Sequence, residues 1–228
     1  MKVLKMVLLI FALFGEFALA APYEVDPNQS IFAIVTHKAG FAAQFAHNHM
    51  VFAERYNISI DADEKHLDEA RFEFEAPVSD LINDLDPVSQ KWFDRFKDVG
   101  IISEPFVVVS ESDRSSIRQS MLGETQLDLT HYPLIKGSIS SISREVTVVG
   151  NSTFTHKVKV KLNIHGHEVE RWIPAIINFG DGGLQVEATT KLRFTDFDIK
   201  PFSAFFGAFR NQDEFDLYAN FRAKVSAT

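Results

Sequence analysis

From His156 to Ile164 the chain reads HKVKVKLNI, with Val158, Val160, Leu162 and Ile164 alternating against Lys157, Lys159, Lys161 and Asn163. Successive side chains of a strand point to opposite faces, so this stretch has one apolar and one wet face, a period that an amphipathic helix does not produce. The same alternation recurs. YNISID sets Tyr56, Ile58 and Ile60 against Asn57, Ser59 and Asp61. LQVEATTKLRF places Leu184, Val186, Ala188, Leu192 and Phe194 on one side, and FDLYANFRAKV does so with Phe215, Leu217, Ala219, Phe221, Ala223 and Val225. Further strands are expected over residues 30–37, 70–76, 132–142 and 145–149, which makes about eight, with a turn at the GDGG of 180–183. Many half-wet strands at short spacing predict an all-β fold, an antiparallel barrel or sandwich.

Two segments break the rhythm with helical spacing. In DPVSQKWFDRFKDVG, Asp86 is the expected N-cap, Pro87 the first helical residue, Trp92, Phe93, Phe96 and Val99 the apolar face, and Gly100 the stop. In SESDRSSIRQSMLGE, Ser110 or Ser112 caps, Ile117, Met121 and Leu122 share a face, and Gly123 ends the helix. No low-complexity linker or internal repeat interrupts the chain, so residues 21–228 are expected to form a single domain.

The first twenty residues carry Lys2 and Lys5, an apolar run, and Ala18-Leu19-Ala20, the pattern of a cleaved secretory signal peptide. Export to the periplasm or outside the cell is expected. No later stretch approaches the ~20 apolar residues of a transmembrane helix. The formal net charge of −8 opposes nucleic acid, and recruitment of any partner by bulk charge is not expected. The absence of cysteine removes disulfides and thiolate metal sites. No G-x-S-x-G elbow, Walker loop or H-E-x-x-H helix is present, so the usual hydrolase and nucleotide chemistries have no anchor.

Of the 22 phenylalanines, 19 follow the leader, and FSAFFGAF at 202–209 alone holds Phe202, Phe205, Phe206 and Phe209. A closed sheet of about eight strands is filled by side chains or encloses one slender ligand. Aromatic walls suit an apolar guest, and Phe202, Phe205 and Phe206 are candidates to line its site; core packing is the alternative. FAHNHMVF places His47 and His49 two apart, which on a strand turns both rings to one face. HGH does the same with His165 and His167 unless Gly166 makes a turn. Three readings stand: metal ligands, which need more donors than two; polar groups at the rim of a pocket; or hydrogen-bonded structural histidines.

Several stretches in order resemble one family. They are YEVDPNQSIFAIVTHKAG at 23–40, FAHNHMV at 45–51, SIRQSMLGETQLDLTHYPLIKGS at 116–138, VKLNIHGHEVERWIPA at 160–175, and the closing run from FTDFDIKPF to DLYANFRA at 194–223. Together they resemble the YceI-like family, exported lipocalin-like proteins that bind polyisoprenoid lipids. The resemblance implies an extended antiparallel barrel with an apolar channel and a helix across one end. Arg118, one turn before Met121 on that helix, then becomes a candidate for an anionic head group while Met121 touches the tail; a surface ion pair is the alternative. Two departures stand out: Ala46 replaces a glycine and Asn48 an aspartate beside the histidines, which removes an internal carboxylate that would orient them. The helix that follows Asp86 is longer than usual and is expected to enlarge or cap the mouth.

The expected function is an exported carrier or sequestering protein for an isoprenoid or quinone-like lipid, with no other cofactor. The amphiphilic lipid is the expected partner, and a homodimer is compatible with the sequence. The rival is a metal-dependent enzyme or metal-binding protein using His47, His49, His165 and His167, and a third reading is a structural module without ligand.

Overall fold

The computed structural model describes residues 23–180 and 183–225. The expected leader and Asp181-Gly182 of the expected turn lie outside the described residues. The elements run β1 (Tyr23–Val25), β2 (Ile31–Ala39), β3 (His49–Ala53), β4 (Asn57–Asp61), β5 (Arg71–Pro77), β6 (Leu81–Asn83), α1 (Asp86–Asp98), α2 (Glu111–Leu122), β7 (Leu134–Val149), β8 (Ser152–Ile164), β9 (His167–Gly180), β10 (Gly183–Arg193), β11 (Ser203–Ala204) and β12 (Phe209–Val225). All strands join one antiparallel sheet in the order β4-β5-β7-β8-β9-β10-β12-β2-β3-β6, with β1 and β11 both on β12. The sheet curls into a half-barrel whose edge strands, β4 and β6, do not pair with each other.

Among the described residues twelve strands stand where about eight were expected. β1, β6 and β11 are three residues or shorter, below what periodicity can register. β3 is only five residues long and runs nearly unbroken in apolar character. β9 escaped because Ile176 on its outer side is as apolar as its inner Ile173, Ala175 and Ile177, which blurs the alternation. The segments expected at 132–142 and 145–149 are one strand, β7, with a register shift between Arg144 and Thr147.

Alternation sorts side chains into three clusters. Two are stacked along the lumen: Phe32, Ile34, Val51, Leu81, Leu162, Phe197, Phe215 and Leu217 toward the α2 end, and Ile60, Phe72, Val158, Ile173, Val186 and Ala223 toward the other. The third lies outside the barrel wall, where Phe96 and Val99 of α1 meet Ala33, Val35, Met50, Phe52 and Tyr218. The opposite parity of Phe32 and Ala33 on β2 produces both faces: the sheet is apolar on both sides where α1 covers it.

α1 thus packs on the outer wall and does not cap the mouth. Leu85, not Asp86, holds its N-cap position, Asp86 is the first helical residue, and no side chain caps the helix. Its dock is charged as well as apolar. Arg95 reaches the buried Glu187 of β10 at 2.6 Å and donates to Ser152 Oγ, while the Tyr218 hydroxyl donates to Glu187 at 3.1 Å. α2 closes one end of the lumen as expected. Its N-cap is Ser110, whose hydroxyl accepts from the Asp113 amide at 3.1 Å. On the wet flank the lysines of the opening motif pair with glutamates: Lys157 with Glu145, Lys159 with Glu170 and Lys161 with Glu168.

Candidate ligand-binding site

A cavity of about 310 Å³ lies under α2, at the lower end of the ~300–1,000 Å³ typical of small-molecule sites. Ile34, Val51 and Leu81 form its wall, Ile117 and Met121 its roof, and Phe194, Ile199 and Phe202 its far side. Helical spacing in α2 brings Ile117 and Met121 onto the one face that meets the lumen. Deeper in, the lumen is shut. Phe32 and Phe74 come from opposite walls to 4.4 Å between centroids, and Phe74 also meets Tyr56 at 5.6 Å and Phe221 at 5.9 Å. None of these four rings lines the cavity under α2, so that cavity is a pocket at one end of the lumen and not a channel along its axis.

Two polar side chains, Thr36 and His49, face this pocket at its rim. Thr36 lines it, and its buried hydroxyl has no hydrogen-bond partner in the described structure. His49 also lines it. Its Nδ1 lies 2.7 Å from Asp84 Oδ2, and Asp84 is itself held by the amide of Met50 at 3.0 Å and by Asn83 Nδ2 at 3.2 Å. The buried carboxylate thereby fixes the ring with Nδ1–H donating and Nε2 left as an acceptor. Asp84 adopts φ +50, a left-handed conformation that Asp tolerates better than most residues. The carboxylate that orients His49 therefore comes from the β6–α1 junction, not from the position Asn48 occupies. Asn48 accepts instead from the Lys38 amide at 3.1 Å and pins the loop to β2.

His47 precedes β3 and stacks edge-on to His49, 4.7 Å between centroids. Burial first, and the neighbouring His49 second, push its pKa below the usual imidazole value, and its Nε2 is buried without a partner. His165 and His167 stand elsewhere. His165 (φ +52) and Gly166 (φ +74) make the tight β8–β9 turn; a Cβ at residue 166 would fall 2.5 Å from the Tyr132 ring, so only glycine fits. His165 Nδ1 approaches the Phe197 carbonyl at 3.2 Å. Among the described residues no group of three or more His, Asp or Glu is placed to hold a metal ion, and the metal reading of these histidines finds no support.

The remaining candidates divide. Met121 and Phe202 line the cavity. Arg118 does not meet it: its guanidinium donates to the Leu81 and Ser79 carbonyls and ties α2 to the edge of the barrel. Phe205 and Phe206 project into solvent, 77% and 108% exposed. Sequence reasoning missed Thr36, Asp84 and Phe194. Thr36 had a signal, since it shares the parity of Phe32 and Ile34; Asp84 had none, because only the β3–β6 pairing brings it to His49.

A curled antiparallel half-barrel with a helix over one end is the architecture of lipocalin-type barrels. The model of the YceI-like domain matches residues 23–223. The chain belongs to the YceI-like family. Its fold is similar to that of BcnA from Burkholderia cenocepacia, with a TM-score of 0.60 at 12% identity, covering 88% of this chain and 100% of that one. A mutant Campylobacter jejuni YceI protein with a monobromobimane guest gives a TM-score of 0.50 at 11% identity, covering 78% of this chain and 85% of that one. At these identities the likeness speaks for the fold. Comparison with curated proteins gives no match. Among the described residues no helix is long and apolar enough to cross a membrane.

Proposed function

We propose that this protein is a periplasmic carrier or sequestering protein that holds one end of an isoprenoid or quinone-like lipid in the pocket under α2. The observation that carries the reading is the composition of that pocket: apolar walls with two polar side chains on one side, the unpartnered Thr36 hydroxyl and the ring of His49 that Asp84 holds through Nδ1. A prenyl unit of about five carbons gains about 4 kcal/mol on burial, before the costs of ordering it. The Thr36 hydroxyl and His49 Nε2 then favour an end group that bears oxygen.

That end group is uncharged. Among the described residues no lysine or arginine lines the pocket, and Arg118 is held by backbone carbonyls. A phosphorylated end would lose its water without gaining a cation, whereas a prenyl alcohol, which both donates and accepts, matches one donor and one acceptor, and a quinone carbonyl accepts from the Thr36 hydroxyl alone.

The test is native mass spectrometry of the purified protein after incubation with farnesol or farnesyl phosphate. Retention of the alcohol in a one-to-one complex, with the phosphate not retained, is the expected result. Retention of neither, with no apolar molecule carried through purification, overturns the reading.

A further inference from the structure

The four most exposed large apolar side chains among the described residues are Phe206, Phe41, Phe205 and Phe45, at 108%, 80%, 77% and 76%. They stand on two loops, residues 40–48 and 201–209. The loops are joined: the Ala42 amide donates to the Ala208 carbonyl at 3.1 Å, and a Cβ at Gly40 would fall 2.4 Å from that same oxygen. Phe205 and Phe206 hold φ +49 and +56, a conformation that aromatic residues rarely adopt. Backbone of this kind persists where the surroundings impose it, and such positions cluster at functional sites.

Charge separates this rim from the rest of the surface. Neither loop contains a charged residue, in a chain where charged residues make up 24%. The chain that enters and leaves them carries Lys38, Lys200 and Arg210, and none of the three makes an ion pair among the described residues. The lysines on the flank, by contrast, face glutamates. Asp113, an acid that acts on the adjacent His47, is turned back onto Ser110, which donates to it at 2.7 Å. Projecting apolar rings beside free cations match the interface of an anionic bilayer, where the rings enter the head-group layer and the cations meet phosphates. The net charge of −8 opposes approach, but at contact distances screening beyond about 8 Å leaves the local cations in control.

The position of the rim favours a lipid surface over a protein partner. Phe202, on the second loop, lines the cavity, as do Asn211 and His49, which flank the two loops. A tail leaving a bilayer at this rim reaches the pocket without crossing water. We infer that loops 40–48 and 201–209 form a docking surface for anionic membranes, through which the pocket exchanges its occupant; the exchange rests on the carrier reading, the docking does not.

Co-sedimentation with vesicles of phosphatidylethanolamine and phosphatidylglycerol tests the docking. The variants are Phe41→Ser with Phe206→Ser, Lys38→Glu with Arg210→Glu, and, as a control, Val146→Ser with Val148→Ser, two valines 72% and 70% exposed on β7. Partition of the wild type should fall at least about tenfold in the phenylalanine variant and markedly in the charge variant, with the control unchanged. Circular dichroism and thermal melting establish that each variant is folded. A phenylalanine variant that no longer sediments yet still takes up farnesol supplied from detergent supports the docking separately from the pocket. Wild type that sediments but takes up no farnesol leaves the docking standing and removes the carrier reading. The inference is overturned by wild type that does not sediment, by a folded phenylalanine variant that sediments equally well, or by sedimentation velocity showing that the rings join two copies of the chain.

Discussion

His49 Nδ1 and Asp84 Oδ2 stand 2.7 Å apart although 35 residues of chain separate them. The carboxylate also accepts from the Met50 amide and from Asn83. Replacing Asp84 by Ala should therefore cost about 2–4 kcal/mol, since it strands a buried amide as well as freeing the ring. Asp84→Asn keeps the shape and tolerates φ +50, and should cost less than about 1.5 kcal/mol. The amide, however, no longer enforces the Nδ1–H tautomer, a change that long-range nitrogen-proton NMR of the imidazole reads directly.

Met121 forms part of the roof of the pocket and is only partly buried. Met121→Trp should fill the pocket, lower retention of a prenyl alcohol at least about tenfold, and cost no more than about 1–3 kcal/mol in stability. Native mass spectrometry and urea unfolding measure the two effects on the same sample.

Arg95 pairs with Glu187 outside the barrel, with Glu187 only 3% exposed. Arg95→Ala leaves that buried carboxylate without its cation, held only by the Tyr218 and Asn220 donors, and should cost about 3–5 kcal/mol. The urea midpoint should fall at unchanged slope, and pocket occupancy should be retained, because α1 touches the outer wall alone.

Burial holds the pKa of His47 and of His156 below the usual imidazole value, and the Nε2 of each is buried without a partner. Between the folded value and the ordinary value of about 6.5, each ring binds fewer protons folded than unfolded. Stability is undiminished above the ordinary value, falls as pH drops beneath it, and levels off below the folded value. The urea midpoint should therefore fall on acidification, and His47→Phe should show a smaller fall over the same window.

Strand period and the two helices were legible in single residues. Val158, Val160, Leu162 and Ile164 face the lumen, their lysine neighbours face glutamates, and Ser110 caps α2. The placement of α1 was not legible. Ala33, Val35 and Phe52 look like any apolar strand residues until their parity relative to Phe32 and Val51 shows that they face outward. Of the phenylalanines in FSAFFGAF, Phe202 lines the pocket while Phe205 and Phe206 face water; the left-handed turn that separates them is a backbone state that residue type alone would have argued against.

The sequence by itself determined an antiparallel sheet with a greasy inner face, because side-chain alternation is a local property of each strand. It also marked His47 and His49 as neighbours, because two residues along a chain cannot move far apart. Only the tertiary structure decided which carboxylate holds His49, that Arg118 serves the backbone, and that aromatic rings shut the lumen and leave a pocket at one end. Each of these depends on contacts between strands far apart in the chain, which register and curvature fix and composition does not.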